Sequence, residues 1–189
     1  MDAAADFDTA VLGLALPPGV EEALAEAGRR RADPPAAMAA LMRAQALAPG
    51  HPAVLIALYR HHFYGHRLHA ARDVARQALV VGAQALRLPG VWRHVRPQPF
   101  PGARHDPSAR FYLFVLKGYA YLSLRLGDDV EARDALALLR ALDPEDCVGA
   151  ALLEGVRQRA LRGGDDDDDD PAPVPVATGA AAWNRLAPA

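Results

Sequence analysis

Four histidines crowd the segment RHHFYGHRLH: His61, His62, His66 and His69. His62, His66 and His69 have the i, i+4, i+7 spacing of one helical face, and imidazoles so placed can bind zinc or a related metal. Gly65 sits inside the cluster at an expected helix turn, which breaks that face and leaves the four as turn-facing, partly solvated histidines. No HExxH motif or CxxC pair joins them. The single cysteine, Cys147, has acids and alanines around it in PEDCVGAALL and no activating cation, so it reads as a small buried helix residue. GxSxG, GxxxxGK[ST] and GxGxxG are missing, and neither Ser108 nor Ser123 has a motif around it. A non-enzymatic protein with no cofactor and no resident metal is expected. The side chains left to do chemistry are those of recognition: Lys117, Tyr121 and Arg125, spaced i, i+4, i+8, share one helical face.

Composition frames these residues. A chain of 189 residues, 51% hydrophobic and 23% charged, can bury one sizeable core, and one cysteine cannot make an internal disulfide. The start, MDAAADFD, is acidic where a secretory signal is basic, and no apolar run approaches the roughly 20 residues of a membrane-spanning helix. A cytoplasmic protein with no membrane partner is expected. The formal charge of −2 includes the uninterrupted run Asp165 to Asp170, without which the charge is +4. Among 21 basic residues only Lys117 is lysine, a bias that matches GC-rich coding better than phosphate binding, so nucleic acid is not the expected partner.

Apolar residues recur at helical spacing over residues 20 to 162, with no sustained two-residue alternation, which predicts an all-α fold. The spacing predicts helices over about 20–31, 35–48, 52–64, 67–87, 109–126, 129–142 and 145–162. A shift of 62 residues pairs Tyr59 with Tyr121, Gly65 with Gly127, Ala70 with Ala132 and Val74 with Leu136. A shift of 95 pairs Asp33 with Asp128, Ala37 with Ala132, Leu41 with Leu136 and Pro49 with Pro144. Three hairpins therefore share one register, clearest in LGDDVEARDALALLRALDP.

A turn glycine between two helices, a small residue early in the second helix and a proline before the next unit resemble the tetratricopeptide repeat. The early tryptophan of that family is missing from all three units, and Ala32 replaces the glycine of the first. The resemblance implies a short right-handed superhelix of antiparallel hairpins with a concave surface lined by the first helix of each. Lys117, Tyr121 and Arg125 would lie there, with Leu55, Tyr59 and Phe63 as the matching positions of the middle hairpin and His62 adjacent. The other reading is that both tyrosines simply pack between helices. HPAVLIALYRHHFYGHRL, RFYLFVLKGYAYLSLRLGD and LDPEDCVGAALLEGV, within about residues 45 to 160, are also similar to small repeat proteins encoded among bacterial nitrogen-fixation genes. That likeness implies an accessory role in nitrogenase assembly or regulation.

The organisation read from the sequence is an arm over 1–19, a repeat domain over 20–162 with a loop inserted at about 88–108, and a tail over 163–189. The loop carries five prolines from Pro89 to Pro107, and five arginines lie between Arg87 and Arg110 against Asp106 alone. With Trp92 and Phe100 it reads either as a basic, aromatic arm near the concave face or as a loop stapled to the core by those two rings. The last helix, with Val148, Leu152 and Val156 on one face, is expected to cap the array. The acidic, Pro/Ala-rich tail is expected to be disordered, as a solubilising extension or as a segment that folds back onto the basic surface. The expected function is a protein–protein interaction module that binds an acidic segment of another protein through Tyr59, His62, Phe63, Trp92, Lys117, Tyr121 and Arg125. The alternative is a metal-handling accessory protein using the His61–His69 cluster. Oligomeric state is not readable from the sequence.

Overall fold

Three helix starts in this chain are written as a capping residue followed by proline: Asp33-Pro34, His51-Pro52 and Asp106-Pro107. Proline presets the first helical turn, and the residue before it accepts an orphan backbone N–H. In the computed structural model, which describes residues 15–100 and 105–162 and side chains as far as residue 158, Asp33 accepts from the Ala36 N–H at 3.2 Å. His51 Nδ1 accepts from the Ala53 N–H at 3.3 Å, and Asp106 accepts from the Ser108 N–H at 2.8 Å and the Ala109 N–H at 3.3 Å. The helices are α1 (Val20–Arg29), α2 (Pro34–Leu47), α3 (Pro52–Tyr64), α4 (Leu68–Ala85), α5 (Pro107–Arg125), α6 (Asp129–Leu142) and α7 (Ala151–Arg162), with a 3-10 turn at Trp92–His94. The described residues contain no strand. The all-α expectation holds, and six of the seven helices lie within two residues of their expected bounds at both ends.

The chain divides into a unit through Glu154 and a second beginning at Gly155. In the first, α1 packs on α2, α3 on α4 and α5 on α6, and α4 also packs on α5. Two apolar clusters result, one from Val20 to Phe111 and the other from Ala75 to Leu153. Helix α5 contributes to both, Phe111 to the first and Tyr112, Leu113, Leu116 and Tyr119 to the second. Gly82 of α4 allows this: a Cβ there would lie 3.2 Å from the rings of Phe111 and Tyr112.

The turns correct the repeat register. In the α5–α6 turn Gly127 takes the left-handed conformation at φ 76°, and in the α3–α4 turn that place belongs to His66 at φ 55°, not Gly65. The hydrogen bonds agree: Arg67 N–H donates to His62 C=O at 2.9 Å as Asp128 N–H donates to Ser123 C=O at 2.9 Å, the closing bond that follows a left-handed residue. The middle and last turns are therefore related by 61 residues rather than 62, since His66 answers Gly127. Tyr121 then corresponds to Arg60, and Arg125 to Tyr64.

The seventh helix starts at Ala151, not at residue 145. Asp143 accepts from the Val148 N–H at 3.0 Å, Asp146 has φ 53°, and its carboxylate accepts from the Ala150 and Ala151 N–H groups. Short acidic side chains offer the backbone these local partners in competition with a helix. The buried leucine is consequently Leu153, 2% exposed, while Leu152 is 48% exposed. Val148 is buried ahead of the helix rather than on it.

Residues 86–100 of the inserted loop lie on the core. Trp92 is 9% exposed with its ring edge-on to Tyr119 at 5.9 Å. Phe100 meets Tyr112 at 5.9 Å, and its N–H donates to Leu142 C=O at 3.0 Å. The Arg93 guanidinium lies 4.5 Å from the Trp92 ring centroid and pairs with Glu131 and, at 2.7 Å, with Asp134 of α6. Of the two sequence readings of this segment, the structure has the stapled loop. The expected arm over residues 1–14 and the expected disordered tail from Gly163 onward lie outside the described residues.

Removing a buried aromatic ring costs about 3–5 kcal/mol, whereas an exposed ion pair contributes about 0–1 kcal/mol. Trp92→Ala should therefore lower unfolding free energy several-fold more than Arg93→Ala in urea titrations. Equal, small losses would mean that the loop is not docked through its tryptophan.

Candidate functional site

Residues two apart on a helix point to nearly opposite sides. On α5 this separates two tyrosines. Tyr119 is fully buried; its hydroxyl donates to Glu131 and accepts from Arg76 Nε at 3.4 Å. Tyr121, half-buried, turns toward α3 and meets the Phe63 ring at 5.9 Å. Phe63 stacks on Tyr59 at 5.8 Å with the planes 10° apart and meets Tyr64 edge-on at 5.5 Å. Arg125 Nη1 donates to the Tyr121 hydroxyl at 2.9 Å, with its guanidinium carbon 5.9 Å from the ring centroid. The two helices approach at Gly118, where a Cβ would lie 3.0 Å from the Tyr59 hydroxyl oxygen.

Burial, reinforced by the nearby Tyr121 and Tyr64 phenols, holds the Tyr59 hydroxyl well above the ordinary tyrosine range. It is protonated and able to donate at any physiological pH. Burial also lowers the pKa of His61 and His62, with Arg67 adding in both and His61 adding to His62. Their rings meet edge-on at 5.7 Å. His61 Nε2 and His62 Nδ1 are covered and have no hydrogen-bond partner among the described residues. Neither α3 nor α5 contains an aspartate or glutamate, while they carry Arg60, Arg110, Lys117 and Arg125.

The structure thus brings Tyr59, Phe63, Tyr121 and Arg125 into one chain of contacts, with His62 adjoining Phe63 in sequence on α3. Lys117 stands at its margin: half-buried, it donates to Val148 C=O and ties the segment before α7 to α5. Burial lowers its pKa against the opposing charge of Asp146. Trp92 lies against Tyr119, on the opposite side of α5 from Tyr121. Tyr64 and Gly118 do not stand out in the sequence, and His61 stands there only as a member of the histidine cluster. The 62-residue register placed Tyr64 one position off the stripe, and Gly118 carried its signal as a lone glycine inside a helical pattern.

The histidines do not form one face, because the left-handed His66 turns the chain between His62 and His69. Among the described residues no group of three or more His, Cys, Asp or Glu could hold a metal ion. Cys147 is half-buried in the turn before α7, not in a helix, with its sulfur 4.0 Å from a Glu145 carboxylate oxygen. Among the described residues no helix is long and apolar enough to cross a membrane.

Two outcomes follow. The histidine values are depressed below the unfolded value near 6.5, so the unfolded chain binds more protons in mild acid. Their contribution is full above pH 6.5 and is lost as pH falls through the folded values. Thermal melts should show Tm dropping from pH 7.5 to 5, with a shallower drop in the His61→Gln, His62→Gln variant; an unchanged slope would contradict this origin. Gly118→Leu should cost about 1–3 kcal/mol by overpacking against Tyr59, read by chemical denaturation, and a neutral result would deny the close approach.

No family model matches the chain, and no solved structure matches it. It is similar to an Azotobacter chroococcum mcd 1 protein described as an uncharacterized 19.8 kDa protein in the nifW 5′ region, with 41% identity over 115 residues. The match covers 60% of this chain and 64% of that protein, just under two thirds of the relative's length.

Proposed function

We propose that this chain is a non-enzymatic interaction module whose α3–α5 surface binds an acidic segment of a partner protein. In this reading the hairpins α1/α2, α3/α4 and α5/α6 stack as a tetratricopeptide-like right-handed superhelix, with α1, α3 and α5 lining the concave side. The observation that carries it is the coincidence, on two neighbouring helices, of four contacting aromatic rings with basic residues and no carboxylate. Tyrosine and arginine are the side chains that most often dominate binding energy. A surface of one charge sign selects partners of the other.

Tyr59, Phe63 and Tyr121 supply apolar contact in this reading, and Arg125, held by Tyr121, meets a carboxylate. Trp92 and Arg93 are committed to the core and to α6, which supports a structural role for the loop. The similarity to a protein from the nifW 5′ region supports an accessory role in nitrogenase assembly or regulation, in the cytoplasm.

The test is fluorescence anisotropy of the full chain with labelled glutamate-rich, neutral and lysine-rich peptides and a single-stranded RNA. Glutamate-rich peptides should bind best, more weakly as salt rises. The Tyr121→Ala, Arg125→Ala variant should lose at least about tenfold, or about 1.4 kcal/mol, while keeping its helical circular dichroism. Equal binding by that folded variant, or preference for RNA, would sink the assignment.

A further inference from the structure

The last turn of α3 and the turn after it gather groups that the aromatic contacts do not use. His61 and His62 stand ring to ring at 5.7 Å, each with one covered nitrogen that lacks a hydrogen-bond partner among the described residues. Arg67 is the one fixed positive charge acting on both, and its backbone is anchored to α3 through the 2.9 Å bond from its N–H to His62 C=O. An exposed tyrosine, Tyr64, follows directly.

Helices α2, α3 and α5 carry no carboxylate, and at the start of α6 Asp128 pairs with Arg72 of α4 at 3.1 Å. Helix α3 itself adds Arg60, α2 offers only Arg43, and α5 has Arg125 on the facing side. Helix α4 has one carboxylate, Asp73, paired with Arg76 at 2.8 Å. Arg43 pairs with Glu26 of α1. Two neutral imidazoles and a guanidinium therefore share a corner with no acid assigned to it. Protonating either ring in the free protein places a cation in a half-buried site, beside Arg67, with one N–H lacking an acceptor.

We propose that His61, His62 and Arg67 form a carboxylate-receiving subsite at the C-terminal end of α3, and that an acidic side chain docking there brings a proton onto the histidine pair. This rests on the reading of the α3–α5 surface as a site for acidic segments and adds its point of entry and its regulation. At the exposed parts of the half-buried rings and of Arg67, the partner's carboxylate supplies the negative charge that the corner lacks, so the bound complex holds protons that the free protein does not. Association is then linked to proton uptake, and binding tightens as pH falls toward the range where carboxylates themselves begin to protonate. Arg67 supplies the pH-independent part of the attraction.

The probe is a fluorescein-labelled glutamate/phenylalanine peptide, titrated into the full chain at pH 7.5, 6.5 and 5.5 at fixed ionic strength, with circular dichroism at each pH. Affinity should rise by about tenfold or more over this range, since each proton taken up allows up to about tenfold per pH unit. The His61→Gln, His62→Gln variant should bind at pH 7.5 and show less than about a threefold rise, and Arg67→Gln should bind more weakly at every pH while keeping the slope. A His69→Gln variant should behave as wild type, which separates the subsite from the general gain of positive charge in acid. Tight binding with a flat pH profile, or a slope that survives loss of His61 and His62, overturns the subsite and leaves the aromatic surface standing. No binding at any pH overturns both.

Discussion

The Tyr59 hydroxyl rests on α5 where Gly118 leaves no side chain, 3.0 Å from the place a Cβ would occupy. This contact lays an α3 side chain against the α5 backbone, while α5 itself packs chiefly on α4 and α6. Glycine inside a helix costs about 1 kcal/mol relative to alanine, so its position has to be compensated by packing. The compensation is visible on both sides of the ring: Tyr59 touches both apolar clusters and stacks on Phe63, which in turn meets Tyr121. A second close approach, Phe111 and Tyr112 against Gly82, fixes α5 to α4. Held at both places, α5 buries Tyr119 toward the inserted loop and leaves Tyr121 and Arg125 on the α3 side.

Charge is distributed by the same arrangement. Helix α6 brings Asp128 at its start, then Glu131 and Asp134, and these are met by Arg72 of α4 at 3.1 Å and by Arg93 of the loop. Such pairs add little stability one by one where solvent reaches them. Their larger effect is on the map of the surface, because the acids of the last hairpin are answered on the α4, α6 and loop side. Helices α3 and α5 themselves carry cations and no carboxylate, and Asp146 is the acid that acts on Lys117 at their margin. The loop that looked like a basic arm in the sequence is thus part of what segregates the charges.

The helices were legible because their signals are local: apolar periodicity, and Asp-Pro or His-Pro at the starts. Tyr59, His62, Phe63, Tyr121 and Arg125 were legible for a related reason, since bulky and basic side chains at helical spacing stand out. What failed was non-local or depended on a single dihedral. Trp92 gave no sign of its side, because its partners Tyr119, Glu131 and Asp134 are brought to it only by the packing of α5 and α6. The start of α7 was misplaced because the carboxylates of Asp143 and Asp146 cap backbone groups that a periodic pattern assigns to a helix. The register slipped by one because a histidine, not the adjacent glycine, takes the left-handed turn; that slip hid Tyr64 and Arg60.

In the proposed function, recognition falls on the α3–α5 side and not on the loop. Chemical-shift mapping of the isotope-labelled full chain with a glutamate-rich peptide tests it most directly. Perturbations should concentrate at Tyr59, His61, His62, Phe63, Tyr121 and Arg125, with the Trp92 indole and the amides of Arg93 and Asp134 unmoved. Perturbations centred on Trp92, Arg93 and α6, with the α3 and α5 signals unchanged, would contradict it.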